Sequence, residues 1–229
     1  MEEKDELIIQ HISRYTVSLR RVIETVYFDG GSASNSINRL LRANLIQRNS
    51  QALDGNYSYY QLTKKACGLL SAPVNKARPR DEKGLAQDIA ALWFACMGEL
   101  SRKRLANEEL RTLFGAPKGG NVIHVAQSAD DDETAVFRLF IPGETTRTKP
   151  FVASLKKAAH EVVGDEKLLR WIERGTYRFA VLVHDERKNA EVHKAIQSEE
   201  FPDLRILIDV APTPSTLRHF YAPEREGEQ

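Results

Sequence analysis

The sequence predicts two folded parts, a front part of the α+β class and a rear part of the α/β class. In the front part, helical periodicity gives way after Asn44 to two short strand-like runs. In the rear part, two strand-like runs that are apolar almost throughout flank a helical segment, which is typical of parallel strands buried on both faces. Between the two parts, residues 71–84 are rich in Pro, Lys and Arg, which indicates a linker.

The composition is that of an ordinary soluble globular protein. The 229 residues are 41% hydrophobic and 28% charged, with a net charge of +1. Any basic surface would therefore have to be local. Cys67 and Cys96 lie in apolar helical contexts without metal-ligand spacing, which predicts buried, reduced thiols. We predict a cytoplasmic protein without membrane contact, because no signal peptide and no bilayer-spanning apolar run is present.

Two amphipathic helices are predicted to open the chain. The first covers residues 3–14 and the second lies within residues 17–28, each with apolar side chains at helical spacing. Asp29, Gly30 and Gly31 end the second helix, because glycine adopts the backbone angles that stop helices.

A third helix has two contrasting faces. Ile37, Leu40 and Leu41 point inward. Ser32 or Ser34 is expected to cap its N-terminus through a side-chain oxygen. Polar side chains fill its start and its outer face: Ser32, Ser34, Asn35, Asn38, Arg39 and Arg42. Such a face is either only hydrated or able to enter a major groove, where amides pair with adenine and guanidinium groups with guanine or phosphate.

A hairpin and a closing helix complete the front part. Asp54 and Gly55 stand between two runs rich in Tyr and branched residues, which is typical of a hairpin turn. Thr63 is placed to cap a helix over residues 64–70. Three helices, a hairpin and a further helix in this order form the winged helix-turn-helix pattern.

The phrases NRLLRANLIQR and YYQLTKKACGLL resemble winged-helix DNA-binding domains, over residues 5–71. The resemblance implies a domain over residues 1–72 that binds double-stranded DNA. Its third helix would read bases, and Arg48, Asn56 and Tyr57 of the wing would add contacts. Winged helices also bind proteins, so a pure adaptor role stays open.

The linker over residues 73–84 is basic. Lys76, Arg78 and Arg80 either contact phosphates beside the reading domain or belong to an ordinary solvated tether.

The rear domain is predicted over residues 85–222, with a disordered tail over residues 223–229. Its helices are expected over residues 84–104, 107–115, 151–163, 165–174 and 187–199, and its strands over residues 121–127, 134–143, 177–185 and 204–210. An antiparallel hairpin that leads into a parallel unit resembles the restriction-endonuclease-like core.

The whole chain resembles the plasmid replication-relaxation family, which is related to nuclease-like relaxases of mobile elements. The resemblance implies a sequence-specific DNA-binding protein of a plasmid or mobile element that controls or assists replication, transfer or transcription. The rear domain would then pair two protomers as a homodimer, or dock a replication or transfer enzyme.

The acids of the nuclease family are missing from their expected places. Asn121 stands where the family's Asp would lie on the first strand. Phe140 stands near the place where the family's acid would lie on the second strand. An amide and an aromatic ring do not hold a hard cation. We therefore predict no catalytic residue, no metal and no cofactor.

Other polar groups leave an alternative open. The acidic run from Asp130 to Glu133 is expected to be a solvated turn, and His124 a packed or exposed histidine. The alternative is a metal-dependent DNA-nicking enzyme with a displaced site. That site would be built from the acidic turn, or from His184 and Asp185 at the end of a buried strand.

Overall fold

A computed structural model describes residues 2–50, 53, 57–98, 100–115, 122–128 and 134–221. The chain divides into two compact units, Met1–Trp93 with Pro212–Gln229, and Phe94–Ala211. The first unit thus extends beyond the predicted boundary and includes the C-terminal segment. The predicted tail, residues 223–229, lies outside the described residues.

Both units contain helices and strands. In chain order they are α1 (Glu3–Tyr15), β1 (Ser18–Leu19), α2 (Arg20–Phe28), α3 (Ser34–Arg42), β2 (Ile46–Asn49), β3 (Tyr59–Leu62), α4 (Lys64–Leu69), a 3₁₀ helix (Val74–Ala77), α5 (Glu82–Cys96), β4 (Arg102–Arg104), α6 (Asn107–Phe114), β5 (His124–Ser128), β6 (Thr134–Phe140), α7 (Thr148–Val163), α8 (Glu166–Glu173), β7 (Tyr177–Val183), α9 (Glu186–Gln197), β8 (Ile206–Val210) and α10 (Leu217–Tyr221).

A small antiparallel sheet belongs to the first unit, with the strand order β1-β3-β2. Ser18 of β1 lies opposite Tyr60, and Ile46 of β2 lies opposite Leu62. The two predicted hairpin strands are confirmed, while their turn residues Asp54 and Gly55 lie outside the described residues. The sequence did not predict β1, because two residues are too short to show a period.

The hydrophobic core of the first unit fixes α3 by its apolar side. Ile8 and Ile12 of α1 cluster with Ile37 and Leu40 of α3 and with Leu62 of β3, and each is at most 1% exposed. Ile37→Ala would cost about 2–5 kcal/mol of stability, since deleting buried methyl groups leaves a cavity. The inward face predicted for α3 is therefore confirmed.

The two predicted helix caps differ in outcome. Thr63 caps α4, since its Oγ1 accepts from the Ala66 N–H at 3.2 Å and also donates to the Asn44 carbonyl at 2.7 Å. The prediction for α3 is wrong, because its N-cap is Ala33, which has no side-chain acceptor. The Ala33 N–H donates instead to Glu24 Oε1 at 3.2 Å.

The predicted linker is folded in part. Its 3₁₀ helix buries Ala77 at 9% exposure. Gln47 Nε2 donates to the Ala77 carbonyl at 3.0 Å, and Gln61 Nε2 donates to the Arg78 carbonyl at 3.1 Å. Amide side chains of β2 and β3 thus satisfy backbone groups of the linker, a long-range effect that local composition does not reveal.

The second unit contains a five-stranded mixed sheet in the order β4-β5-β6-β7-β8. Strands β4, β5 and β6 pair antiparallel, while β6, β7 and β8 pair parallel. The predicted hairpin that leads into a parallel unit is confirmed. Helices from α6 to α9 cover one face, where Leu155 and Ala159 of α7 cluster with Val136, Tyr177 and Phe179.

One predicted element is partly wrong. The expected helix over residues 84–104 ends at Cys96, and Arg102–Arg104 forms β4. Arg102 Nε donates to Gln127 Oε1 of β5 at 3.1 Å, and its guanidinium carbon lies 4.0 Å from the Phe94 ring centroid. Pairing with β5 overrides the local helix propensity of the Arg- and Lys-rich segment.

Candidate nucleic-acid interface

The outer side of α3 presents amide and guanidinium groups to solvent. Asn35, Asn38 and Arg42 are exposed, whereas Ile37 and Leu40 on the opposite side are buried. At about 100° per residue, Asn35 and Arg42 lie near the middle of the exposed arc and Asn38 at its edge. We call Asn35, Asn38 and Arg42 the α3 face. The α3 face is held by the core behind it.

Arg39 lies at the side of α3 that meets α1. Its Nε donates to Asp5 Oδ2 at 3.1 Å, and its Nη2 lies 2.9 Å from Asp5 Oδ1 and 2.6 Å from Glu2 Oε2. Ser36 Oγ accepts a further bond from Nη2 at 3.1 Å. The guanidinium predicted to contact DNA is therefore engaged by two carboxylates of its own chain.

The electrostatics of this contact keep both partners charged. Burial alone would raise the pKa of Asp5. Hydrogen bonds from Arg39, the Glu2 backbone N–H and Ser36 outweigh that effect, so the pKa lies below its ordinary 3.8. The hydrogen bond with Asp5 raises the pKa of Arg39. We call this contact the α1–α3 ion pair, and it sets the orientation of α3 against α1.

The entrance to α3 contains two serines in contact. Ser32 Oγ and Ser34 Oγ lie 2.8 Å apart, and Ser32 Oγ accepts from the Ser34 N–H at 3.3 Å. Ser32 is exposed and Ser34 half-buried. Both hydroxyls stand at the N-terminal end of α3, next to Asn35.

Of the predicted wing residues, Arg48 lies on β2 and Tyr57 just before β3. Arg48 is exposed, and its Nε donates at 2.8 Å to Oγ of Ser58, the residue that precedes β3. Tyr57 is half-buried, and Asn56 lies outside the described residues. Arg48 is thus hydrogen-bonded to the segment that leads into β3.

The predicted linker cations have different environments. Lys76 Nζ donates to the Ser13 carbonyl at the end of α1. Arg80 Nε lies 2.7 Å from Oδ2 of Asp88, whose side chain is only 3% exposed. Arg78 is exposed. Two of the three predicted phosphate contacts are therefore engaged within the first unit.

The sequence reading did not select Lys64 and Lys65, which are both exposed at the start of α4. Lys65 Nζ donates to the Ala43 carbonyl at 3.0 Å, just beyond the end of α3. The signal was the predicted hairpin, because antiparallel β2 and β3 return the chain to the end of α3, where α4 begins.

The alternative site at the end of β7 is a helix cap. Asp185 Oδ1 accepts from the Lys188 N–H at 2.6 Å at the start of α9, and Oδ2 lies 3.2 Å from His184 Nε2. The Lys188 backbone N–H is the main cause of the lowered pKa of Asp185. These neighbours in the chain are thus in contact at the start of α9.

In the part of the chain that the structure describes, no group of three or more His, Cys, Asp or Glu is arranged to hold a metal. Asn121 and the acidic run Asp130–Glu133 lie outside that part. His124 is packed, at 6% exposure, and its Nε2 lies 3.0 Å from the Tyr177 hydroxyl. None of the described helices combines the length and apolarity needed to cross a bilayer.

Comparisons with protein families, curated proteins and solved structures give no match to this chain. The resemblances to winged-helix domains and to the plasmid replication-relaxation family therefore stay predictions.

Proposed function

We propose that this protein binds double-stranded DNA in a sequence-specific manner. The α3 face supports the proposal best, because a helix anchored by Ile37 and Leu40 presents two amides and a guanidinium of Arg42 to solvent. Asn pairs with adenine and Arg with guanine through two hydrogen bonds each in the major groove. A helix already held in place loses little conformational entropy when it binds.

The arrangement around α3 also supports the proposal. Three helices with a three-stranded antiparallel sheet in the order β1-β3-β2 are typical of a winged helix. On this proposal α3 enters the major groove and the β2–β3 hairpin, with Arg48, contacts the adjacent backbone. Lys64 and Lys65 would then lie near a phosphate.

We further propose, from the sequence resemblance, that the protein regulates or assists replication, transfer or transcription on a plasmid or mobile element. A homodimer would match a palindromic site and double the contacts. The second unit would serve as the dimerisation or docking scaffold.

The first experiment selects a binding site and measures its salt dependence. The full-length protein is used to enrich a pool of random-sequence duplexes, and affinities for the selected and random duplexes are compared by fluorescence anisotropy. A protein that neutralises about six phosphates should lose roughly three orders of magnitude in affinity from 50 to 200 mM salt. A pure adaptor would enrich no sequence and show no such dependence.

Variants of Arg42 and Arg187 then locate the phosphate contacts. Arg42→Gln should weaken binding and reduce the slope of log K against log salt by about 0.9 if Arg42 contacts a phosphate. Arg187→Gln is the matched control, since Arg187 lies on α9 of the second unit and its side chain is 85% exposed. Equal slopes for the two variants would contradict a phosphate contact by Arg42.

The contact between His184 and Asp185 keeps DNA nicking as a second candidate function. Supercoiled plasmid with Mg²⁺ or Mn²⁺ tests it directly. Nicking by the wild type that Asp185→Asn abolishes would favour the enzyme, because a carboxylate ligand is lost while the cap acceptor remains. On the main proposal no nicked product forms.

A further inference from the structure

One arginine in the second unit is held between aromatic rings. Arg138 of β6 lies opposite His124 of β5 and opposite Phe179 of β7. Its guanidinium carbon lies 5.1 Å from the ring centroid of Phe140 and 5.7 Å from that of Phe179. Contact with both rings restricts the side chain, so little rotamer entropy remains to be lost when a ligand binds.

The polar neighbours of Arg138 carry no negative charge at neutral pH. His124 Nε2 and the Tyr177 hydroxyl lie 3.0 Å apart. Burial, with a smaller contribution from Arg138, lowers the pKa of His124 to about 4. Burial raises the pKa of Tyr177 to about 12. Both groups are neutral at pH 7, so the guanidinium gives the cluster a net positive charge.

Among the residues that the structure describes, no carboxylate forms an ion pair with Arg138. Its buried Nε has no hydrogen-bond partner, while the guanidinium also hydrogen-bonds the Tyr177 hydroxyl. The charge of Asp165 also acts on the cluster, since it raises the pKa of Tyr177, and Asp165 caps α8, where its Oδ1 accepts from the Lys167 N–H at 3.1 Å. A buried guanidinium N–H without an acceptor is costly.

We infer that Arg138 is the centre of a phosphate-binding site in the second unit, with the Tyr177 hydroxyl as its polar neighbour. A phosphate offers several acceptor oxygens and can take charge-assisted bonds from Nε and an Nη together. The position supports this, because Arg138 lies two residues before the carboxyl end of β6 and ligands of open sheets bind beyond that edge. The inference does not depend on the function proposed for the first unit.

The test measures phosphate binding by the full-length protein. Inorganic phosphate is titrated at constant ionic strength, and the thermal midpoint of unfolding is recorded. Arg178→Gln is the matched control, since Arg178 is half-buried on β7 with its guanidinium carbon 5.7 Å from the Phe137 ring centroid. Phosphate should raise the unfolding midpoint of the wild type and of Arg178→Gln. The unfolding midpoint of Arg138→Gln should not change with phosphate. An equal rise in all three proteins would overturn the site.

A spectroscopic measurement on the wild type covers the case in which Arg138→Gln fails to fold. The Nε–H resonance of Arg138, assigned by its loss in Arg138→Lys, should shift with phosphate and saturate. No shift, or an equal shift with acetate, would overturn the phosphate assignment. A titration with an eight-nucleotide single strand then distinguishes the two sources of phosphate. If the Nε–H resonance shifts at a much lower concentration of the strand than of inorganic phosphate, the ligand is a nucleic-acid phosphate. If it does not, the ligand is free phosphate.

Discussion

At the scale of single residues, Arg39 shows how position decides the role of a charged group. It stands on the same helix as Arg42, only three residues away, yet its guanidinium turns toward Asp5 and Glu2. Arg42 has the same chemistry on the exposed arc. From the sequence both arginines are candidate DNA contacts, because the acidic partners lie more than thirty residues away in the chain.

A double-mutant cycle tests the α1–α3 ion pair. Arg39→Gln and Asp5→Asn should each lower the free energy of unfolding, and the double variant should lose less than the two losses together, because each change already removes the shared contact. Urea denaturation of the four proteins measures the coupling. Strictly additive losses would show that Arg39 and Asp5 do not interact.

The Arg39→Gln variant also distinguishes the roles of Arg39 and Arg42 in DNA binding. Arg39→Gln should leave the slope of log K against log salt unchanged, since a guanidinium engaged by Asp5 and Glu2 releases no DNA counterion. Anisotropy titrations at several salt concentrations compare it with Arg42→Gln. An equal reduction of the slope in both variants would place Arg39 on the DNA as well.

Buried histidines set a pH dependence of stability. Burial, together with the charge of Arg14, lowers the pKa of His11 to about 3, and its Nε2 lies 2.9 Å from Ser18 Oγ. The unfolded histidine, with a pKa of 6.5, binds a proton that the folded one does not. The free energy of unfolding therefore falls as pH drops from 6.5 toward 3.

His11→Gln tests this dependence. Between pH 7 and pH 5 the free energy of unfolding of the wild type should fall by about 2 kcal/mol through His11 alone. The fall in the variant should be smaller by this amount. Denaturant unfolding at both pH values measures the difference, with exposed His193→Gln as the matched control. A pH dependence that His11→Gln leaves unaltered would mean that His11 takes up its proton in the folded state.

At the scale of elements, Asp185 is the N-cap of α9, although the sequence made it a candidate catalytic group. Asp185→Ala should cost about 1 kcal/mol by removing the acceptor for the Lys188 N–H, while Asp185→Asn should cost much less because the amide oxygen still caps α9. Thermal unfolding of the two variants checks this. Equal losses would show that the charge of Asp185, rather than its cap, stabilises the unit.

The sequence predicted most elements because their signals are local. Apolar side chains at helical spacing predicted α1 and α3, and the Thr63 cap predicted the start of α4. Two strands, β1 and β4, were missed because they are two and three residues long and exist only through their partners. Their pairing depends on contacts far away in the chain, which no local pattern shows.

The candidate site was predictable to a similar degree. Exposure of Asn35, Asn38 and Arg42 follows from helix periodicity alone. The sequence could not predict that Lys76 contacts the Ser13 carbonyl or that Arg80 contacts Asp88. The composition of a linker does not indicate the surface on which the linker packs. Charge in the sequence predicts where a cation lies, and tertiary contacts decide whether it is available.

At the scale of the whole molecule, the two units carry separate proposals. The first would read DNA and the second would hold a phosphate beside Arg138, so each can fail without the other. The homodimer predicted from the sequence adds a third property. Sedimentation of the full-length protein should give twice the 25.9 kDa chain mass, and the selected duplex should be palindromic. A monomer on an asymmetric site would contradict the dimer alone.

The central claim is that the α3 face reads base edges, and adenine N7 gives the most direct access to it. In the selected duplex each adenine is replaced in turn by 7-deazaadenine, and binding is measured for the wild type, Asn35→Ala, Asn38→Ala and the control Asn75→Ala, which changes an exposed residue of the 3₁₀ helix. At one adenine at least, the replacement should lower the DNA affinity of the wild type and of Asn75→Ala roughly 5-fold or more. The same replacement should cause no further loss of affinity in Asn35→Ala or in Asn38→Ala. Equal losses in all four proteins at every adenine would contradict the claim.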